Sequence, residues 1–188
     1  MAITKQLSEF PEIIELRDKL TRRESLNNRD LQLIDELCKE TGWTAKDIMD
    51  EIKDLDKEPL TLVDKYQKLL EKYFNEALEL KEKGDYIQAG EKLWGAVTFL
   101  IKLYASKRNI TVMHWSHGKL FQFVENNVDK RLIKLSDSSE ISPREVFYEL
   151  LIEAGALHNN FYEGDLPDDA FEMIFNKVVR LIKKVKEI

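Results

Sequence analysis

Apolar residues recur at steps of three and four along most of the chain, the spacing of helices that bury one face. The pattern is densest from Gly84 to Ala105, where Tyr86, Gly90, Leu93, Val97, Leu100 and Tyr104 share a face. Ala89, Trp94, Ala96 and Ile101 widen that face beyond the usual stripe, which predicts a central helix rather than a peripheral one. Asp85 is its expected N-cap, after a Gly84 suited to ending the preceding helix. That preceding helix is expected over 61–83, capped by Thr61, with Leu62, Tyr66, Leu69, Leu70, Tyr73, Ala77 and Leu80 along its stripe. So short a turn makes the pair an antiparallel hairpin of helices.

Upstream, three short helices are expected: one capped by Ser8 and carrying Ile13, Leu16 and Leu20, and one opening at Asn28 and stopped by Gly42. The third is opened by Thr44 with Asp47 and presents Ile48, Ile52 and Leu55. Lys57-Glu58-Pro59 reads as a linker, because proline lacks an N–H and restricts its predecessor. The chain therefore divides into a helical extension, 1–57, and a bundle, 58–188. Past the central helix the pattern breaks from Lys107 to Ser116 and resumes as a helix at about 119–134. Ser142, Pro143 and Glu145 then mark a helix start, with that helix running to about Tyr162 and a last one beginning near Pro167. The expected fold is all-α, an antiparallel helical bundle with a small N-terminal helical extension.

Composition narrows the partners. The chain has 188 residues, 43% of them hydrophobic and 34% charged, with seven glycines and four prolines. That supports one core and leaves few turns for an all-β fold. A richness in Lys and Glu is a pattern of proteins from hot environments. The net charge is −6, and residues 1–57 hold fourteen acidic against ten basic side chains. Three short helices would otherwise admit a helix-turn-helix, but a duplex-DNA reader needs the opposite sign. A lone cysteine, Cys38, forms no internal disulfide and fits a reducing cytoplasm. No signal peptide is apparent, and the apolar run from Gly95 to Ala105 is short and interrupted by Lys102, so no membrane span is expected.

Candidate chemistry gathers on the central helix. Gly90 and Gly95 each cost about 1 kcal/mol relative to alanine inside a helix. Their presence beside Ala89 and Ala96 implies the close approach of another backbone or of a ligand. Glu91 and Thr98 lie on the side of Gly95, with Lys92 and Lys102 close by, so a gap there would suit a phosphate or equally a solvated flank. His158 falls about 40° from the centre of the stripe made by Phe147, Leu150, Leu151, Ala154, Leu157 and Phe161. An imidazole at that edge must satisfy two nitrogens. It is either a structurally satisfied histidine, partnered by Glu153, Tyr162 or a polar group of the central helix, or one that faces a ligand. His114 and His117 have metal-sharing spacing, but two ligands do not make a site, and neither a metal nor a cofactor is expected. Trp115 would stack on a base or anchor its loop. No phosphate-binding glycine loop, H-E-x-x-H or C-x-x-C is present.

The segment from Gly84 to Ala96 resembles the archaeal PaREP family of small helical proteins. So do Ile101-Lys102, His117-Gly118-Lys119-Leu120 and Leu157-His158-Asn159-Asn160-Phe161-Tyr162-Glu163. The likeness spans about 61–188. It implies a HEPN-like bundle, a group that includes RNA-cutting toxins and nucleotide-binding partners of minimal nucleotidyltransferases. The nucleases of that group carry an arginine, then four to six residues, then a histidine. Here His158 stands at the histidine, but Ile152 and Glu153 occupy the upstream positions, so the cation that would stabilise a developing phosphorane is missing. The resemblance therefore implies a cytoplasmic protein that binds a nucleotide, an RNA or a nucleotidyltransferase-like partner without nuclease activity, as a homodimer. In that reading Lys92 and Lys102 contact phosphate, His158 is a polar contact, and Glu91 and Glu153 are orienting acids. Two alternatives stand beside it: a non-catalytic oligomerising scaffold, and a residual ribonuclease using His158 or Arg108 with His114.

Overall fold

The structure, a computed structural model, describes residues 11–112, 116–134 and 140–186. Among them are eight α-helices: α1 Pro11–Arg22, α2 Asn28–Thr41, α3 Ala45–Lys53, α4 Val63–Glu82, α5 Tyr86–Ser106, α6 His117–Asn127, α7 Pro143–Glu163 and α8 Asp168–Val185. A 3-10 turn, Pro59–Leu62, leads into α4. Two short strands, β1 (Ile133–Lys134) and β2 (Glu140–Ile141), pair antiparallel between α6 and α7. The expected all-α bundle is the observed one.

The central helix is α5. From Ala89 to Ser106 every side chain but that of Lys92 is buried. Helix α4 lies along one flank of α5 and α7 along another, while α8 closes on both α7 and α5. The local signals that start and stop these helices act as their chemistry dictates. The Asp85 carboxylate accepts from Gln88 N, the Ser142 hydroxyl from Glu145 N, and the Thr44 hydroxyl from Asp47 N. Gly42 and Gly164 take the left-handed conformation that ends α2 and α7.

Helices α1–α3 are built into the bundle core. The Trp43 ring stacks on Phe99 of α5 with centroids 3.9 Å apart. Its Nε1 donates to Thr98 Oγ1 at 2.7 Å and to Gly95 O at 3.2 Å. Thr44 N donates to the Tyr73 hydroxyl, which in turn donates to Asp47. One hydrophobic core runs from Ile13 to Val185 through all these elements.

Two local expectations change. Thr61 does not cap α4: Pro59 opens a 3-10 turn, the Thr61 hydroxyl donates back to Glu58 O at 2.6 Å, and α4 begins at Val63 without a side-chain cap. The helix expected over 119–134 runs instead over His117–Asn127. Val128 turns extended, and the Asp129 carboxylate accepts from Arg131 N, a local bond that competes with further helix. Ser8, expected to cap the first helix, lies outside the described residues.

Candidate functional site

Helices α5 and α7 come close at Gly90, where a Cβ would stand 3.2 Å from Leu157 O and 3.3 Å from Leu157 Cβ. That approach brings Glu91 against His158, with Oε2 and Nδ1 2.6 Å apart and both side chains nearly enclosed. Trp94, one turn along α5, stacks on His117 at 4.3 Å between centroids and on His158 at 5.2 Å. The two imidazoles are 5.2 Å apart, and the Tyr162 ring meets His158 edge-on. The end of α2 completes the surround: Trp94 Nε1 donates to Glu40 O and the Tyr162 hydroxyl to Lys39 O. Gly42 is needed here as well, since a Cβ there would stand 2.7 Å from Glu91 O.

Within this cluster His117 Nε2 is buried with no hydrogen-bond partner among the described residues. It is turned toward Gly155, where a Cβ would lie 3.5 Å away. Burial first, then the neighbouring His158, holds the His117 pKa below the ordinary histidine value. The Glu91 carboxylate and the His158 imidazole pair within this cluster. Upstream of His158 on α7, Ile152 is exposed and Glu153 is paired with Lys177. No group of three or more metal-ligating side chains is found among the described residues.

Gly95 does not open a hollow. A Cβ there would stand 2.8 Å from Tyr73 Cδ1 and 3.2 Å from Gly42 O, so a tyrosine ring and a backbone carbonyl fill the space expected for a phosphate. The cations assigned to that hollow are committed elsewhere. Lys92 pairs with Glu76 at 2.9 Å and lies 4.7 Å over the Tyr73 ring. Lys102 is buried, 2.5 Å from Glu51 Oε1, and donates to Val112 O at 2.9 Å. Glu153 pairs with Lys177 on α8 at 2.7 Å. Of the expected set the structure joins only Glu91 and His158, and it adds Trp94 and His117. His114 and Trp115 lie outside the described residues.

The Glu51–Lys102 pair belongs to a second buried cluster, with Lys65 3.0 Å from Glu51 Oε2 and the Tyr66 hydroxyl donating to Oε1 at 2.7 Å. Burial opposes ionisation of Glu51, but two ammonium groups and the phenol outweigh it and hold the carboxyl pKa below its usual range. Burial pushes the Lys102 ammonium down from its ordinary value.

A cleft of about 290 Å³ lies at the opposite end of α5, where its C-terminus meets those of α8 and the flank of α4. Its apolar lining is Leu100, Leu103 and Val185, and its charged lining is Lys107, Arg108 and Lys186, with no carboxylate among the described residues. The Arg108 guanidinium lies 3.5 Å over the Tyr104 ring, with Nη1 donating to Tyr104 O. Lys186 lies over the Phe74 ring. The Lys107-Arg108 pair and the lysines ending the last helix are visible in the sequence. That these two helix ends meet is not.

The fold is an all-α bundle organised around one almost wholly buried helix, with a carboxylate–imidazole–indole cluster where α5 crosses α7. The chain belongs to the archaeal PaREP1/PaREP8 family, whose model matches residues 65–182. No curated protein and no solved structure matches the chain. The matched segment contains Glu91, Trp94, His117 and His158, and leaves out the α1–α3 segment that supplies Trp43 and Glu51.

Proposed function

We propose that this protein is a binding module for a nucleotide, free or within an RNA, and that it does not cut what it binds. One observation carries the reading: in a chain of net charge −6, Lys107, Arg108 and Lys186 converge on a cleft that presents no carboxylate among the described residues. Concave walls of one charge sign concentrate field and draw an anion of the other. The absence of cutting follows from the other cluster. A phosphoryl centre attacked near His158 would meet the Glu91 carboxylate rather than a guanidinium, the wrong sign for a developing phosphorane.

Fluorescent single-stranded RNA and nucleotides titrated at low salt test this. Saturable binding with RNA recovered intact is the expected result. Cleavage by pure protein, lost in His158→Ala, would replace the reading with a ribonuclease.

A second reading, a protein-interaction scaffold, draws on a different face. Phe121, Tyr148 and Ile152 form an apolar patch along α6 and α7, with Ile152 61% exposed. Under that reading the chain self-associates through this patch. Light scattering of the native protein and of Ile152→Glu would then show an oligomer that dissociates in the variant.

A further inference from the structure

We infer that the cleft between the ends of α5 and α8 is a site for a free nucleoside phosphate, with the phosphate on Lys107, Arg108 and Lys186 and the base on the Arg108–Tyr104 stack. The inference rests on the anion-binding reading above and makes it specific.

Charge is the first argument. Two helix C-termini meet here, and each carries a partial charge of about −0.5, so cations at this end are partly accounted for by the helices themselves. Among the described residues, three full positive charges exceed those two half-charges, leaving a surplus of about two. A phosphate monoester near neutral pH carries about −1.5 to −2. Ion pairs hold many of the bundle's other cations, such as Lys81 on Glu172 and Lys92 on Glu76. Lys107, Arg108 and Lys186 form none among the described residues.

The second argument is pre-organisation. The turn after α5 is closed by Lys107 N to Leu103 O, Arg108 N to Ala105 O and Ile110 N to Ala105 O, with Asn109 in the left-handed region at φ 57°. These bonds hold both cations in a hydrogen-bonded turn rather than a loose loop. Arg108 is further fixed by its guanidinium carbon 3.5 Å over the Tyr104 ring and by Nη1 donating to Tyr104 O. The residue is exposed, and its other N–H groups make no hydrogen bond among the described residues. A guanidinium plane is a surface on which a base stacks.

Size and lining are the third. At about 290 Å³ the cleft is at the small end of the range for small-molecule sites, about 300–1,000 Å³. Leu100, Leu103 and Val185 supply an apolar wall, and Gln67 an amide for an edge contact. Three cations at one spot suit a single phosphorylated molecule better than a strand, whose charge would call for a basic track.

Isothermal titration at low salt with the diphosphates of all four nucleosides, the parent nucleosides, pyrophosphate and a single-stranded oligonucleotide is the test. At least one diphosphate should bind with one site per chain, its nucleoside at least tenfold more weakly. Arg108→Ala and Lys186→Ala should each weaken it at least tenfold, while Lys183→Ala, exposed on α8 and outside the cleft lining, leaves it unchanged. The mutated side chains are exposed, and circular dichroism confirms that each variant folds. Diphosphate binding untouched by the two cleft variants overturns the site and leaves the binding module standing. Tight oligonucleotide binding with no diphosphate binding overturns the inference in the same way. No binding of any probe overturns both.

Discussion

Lys102 Nζ and Glu51 Oε1 lie 2.5 Å apart with each side chain only 3% exposed, an ion pair sealed between α5 and α3. Lys65 and Tyr66 share the same carboxylate, so α3, α4 and α5 are joined through a single buried group. Removing one partner of such a pair costs about 3–5 kcal/mol, because a charge is left uncompensated in the interior. Lys65 still faces Glu51 in Lys102→Met, so a loss near the lower end of that range is expected. The double variant Glu51→Gln, Lys102→Met should lose less than the two single losses combined. Urea unfolding of the four proteins measures the cycle; strict additivity would mean that the pair is not coupled.

Trp43→Ala should destabilise the whole bundle by about 3–5 kcal/mol, the usual cost of emptying a large aromatic site. It removes the stack on Phe99 and leaves Thr98 without its indole donor. A single cooperative transition shifted downward is the expected calorimetric result. A separate low-temperature transition for residues 11–57 would show that the N-terminal helices melt on their own.

Gly95→Ala adds helix propensity worth about 1 kcal/mol but drives a methyl to 2.8 Å from Tyr73 Cδ1. Overpacking of that kind costs about 1–3 kcal/mol, so a net loss of stability is expected. Gly118, in the first turn of α6, meets nothing within 4 Å among the described residues. Gly118→Ala should therefore raise the melting temperature slightly. Opposite shifts for two glycine-to-alanine changes are the readout, and a rise for both would disprove the close packing at Gly95.

His117 predicts a pH dependence. Its folded pKa lies below the unfolded value of 6.5, so the unfolded chain binds the proton more readily in the interval between the two. Stability from this group is complete above the unfolded pKa and falls as pH drops toward and through the folded one. Unfolding midpoints measured from pH 8 down to pH 5 should decline, and the decline should flatten in His117→Phe, which keeps a ring against Trp94. An identical slope in the variant would assign the dependence to other groups.

Much of the helix layout follows from local chemistry. Asp85, Ser142 and Thr44 cap helices because a short polar side chain reaches a free N–H two or three residues ahead. Gly42, Gly84 and Gly164 end them because φ is positive there. The near-total burial of α5 follows from its wide apolar face. These signals operate within a few residues, so no partner helix is needed to read them. The same holds for the placing of His158 toward the core, since the wheel angle alone sets it. Which of its possible partners His158 takes was not settled in this way. Glu91 meets it only because Gly90 lets α7 come within contact of α5, a matter of how two helices cross.

The grouping of cations needed tertiary structure for a related reason. Lys92 and Lys102 are ten residues apart, about 15 Å along the helix axis, and each takes the acid that a neighbouring helix offers: Glu76 from α4 and Glu51 from α3. Lys186 and Arg108 are distant in sequence and line one cleft because α5 and α8 end at the same place. Sequence by itself determined the all-α class, the central helix and the family membership, because periodicity, caps and short motifs are local properties. Which charges neutralise one another and which stay unpaired around a cleft was decided by the packing of distant helices, because electrostatic pairing depends on distance in space.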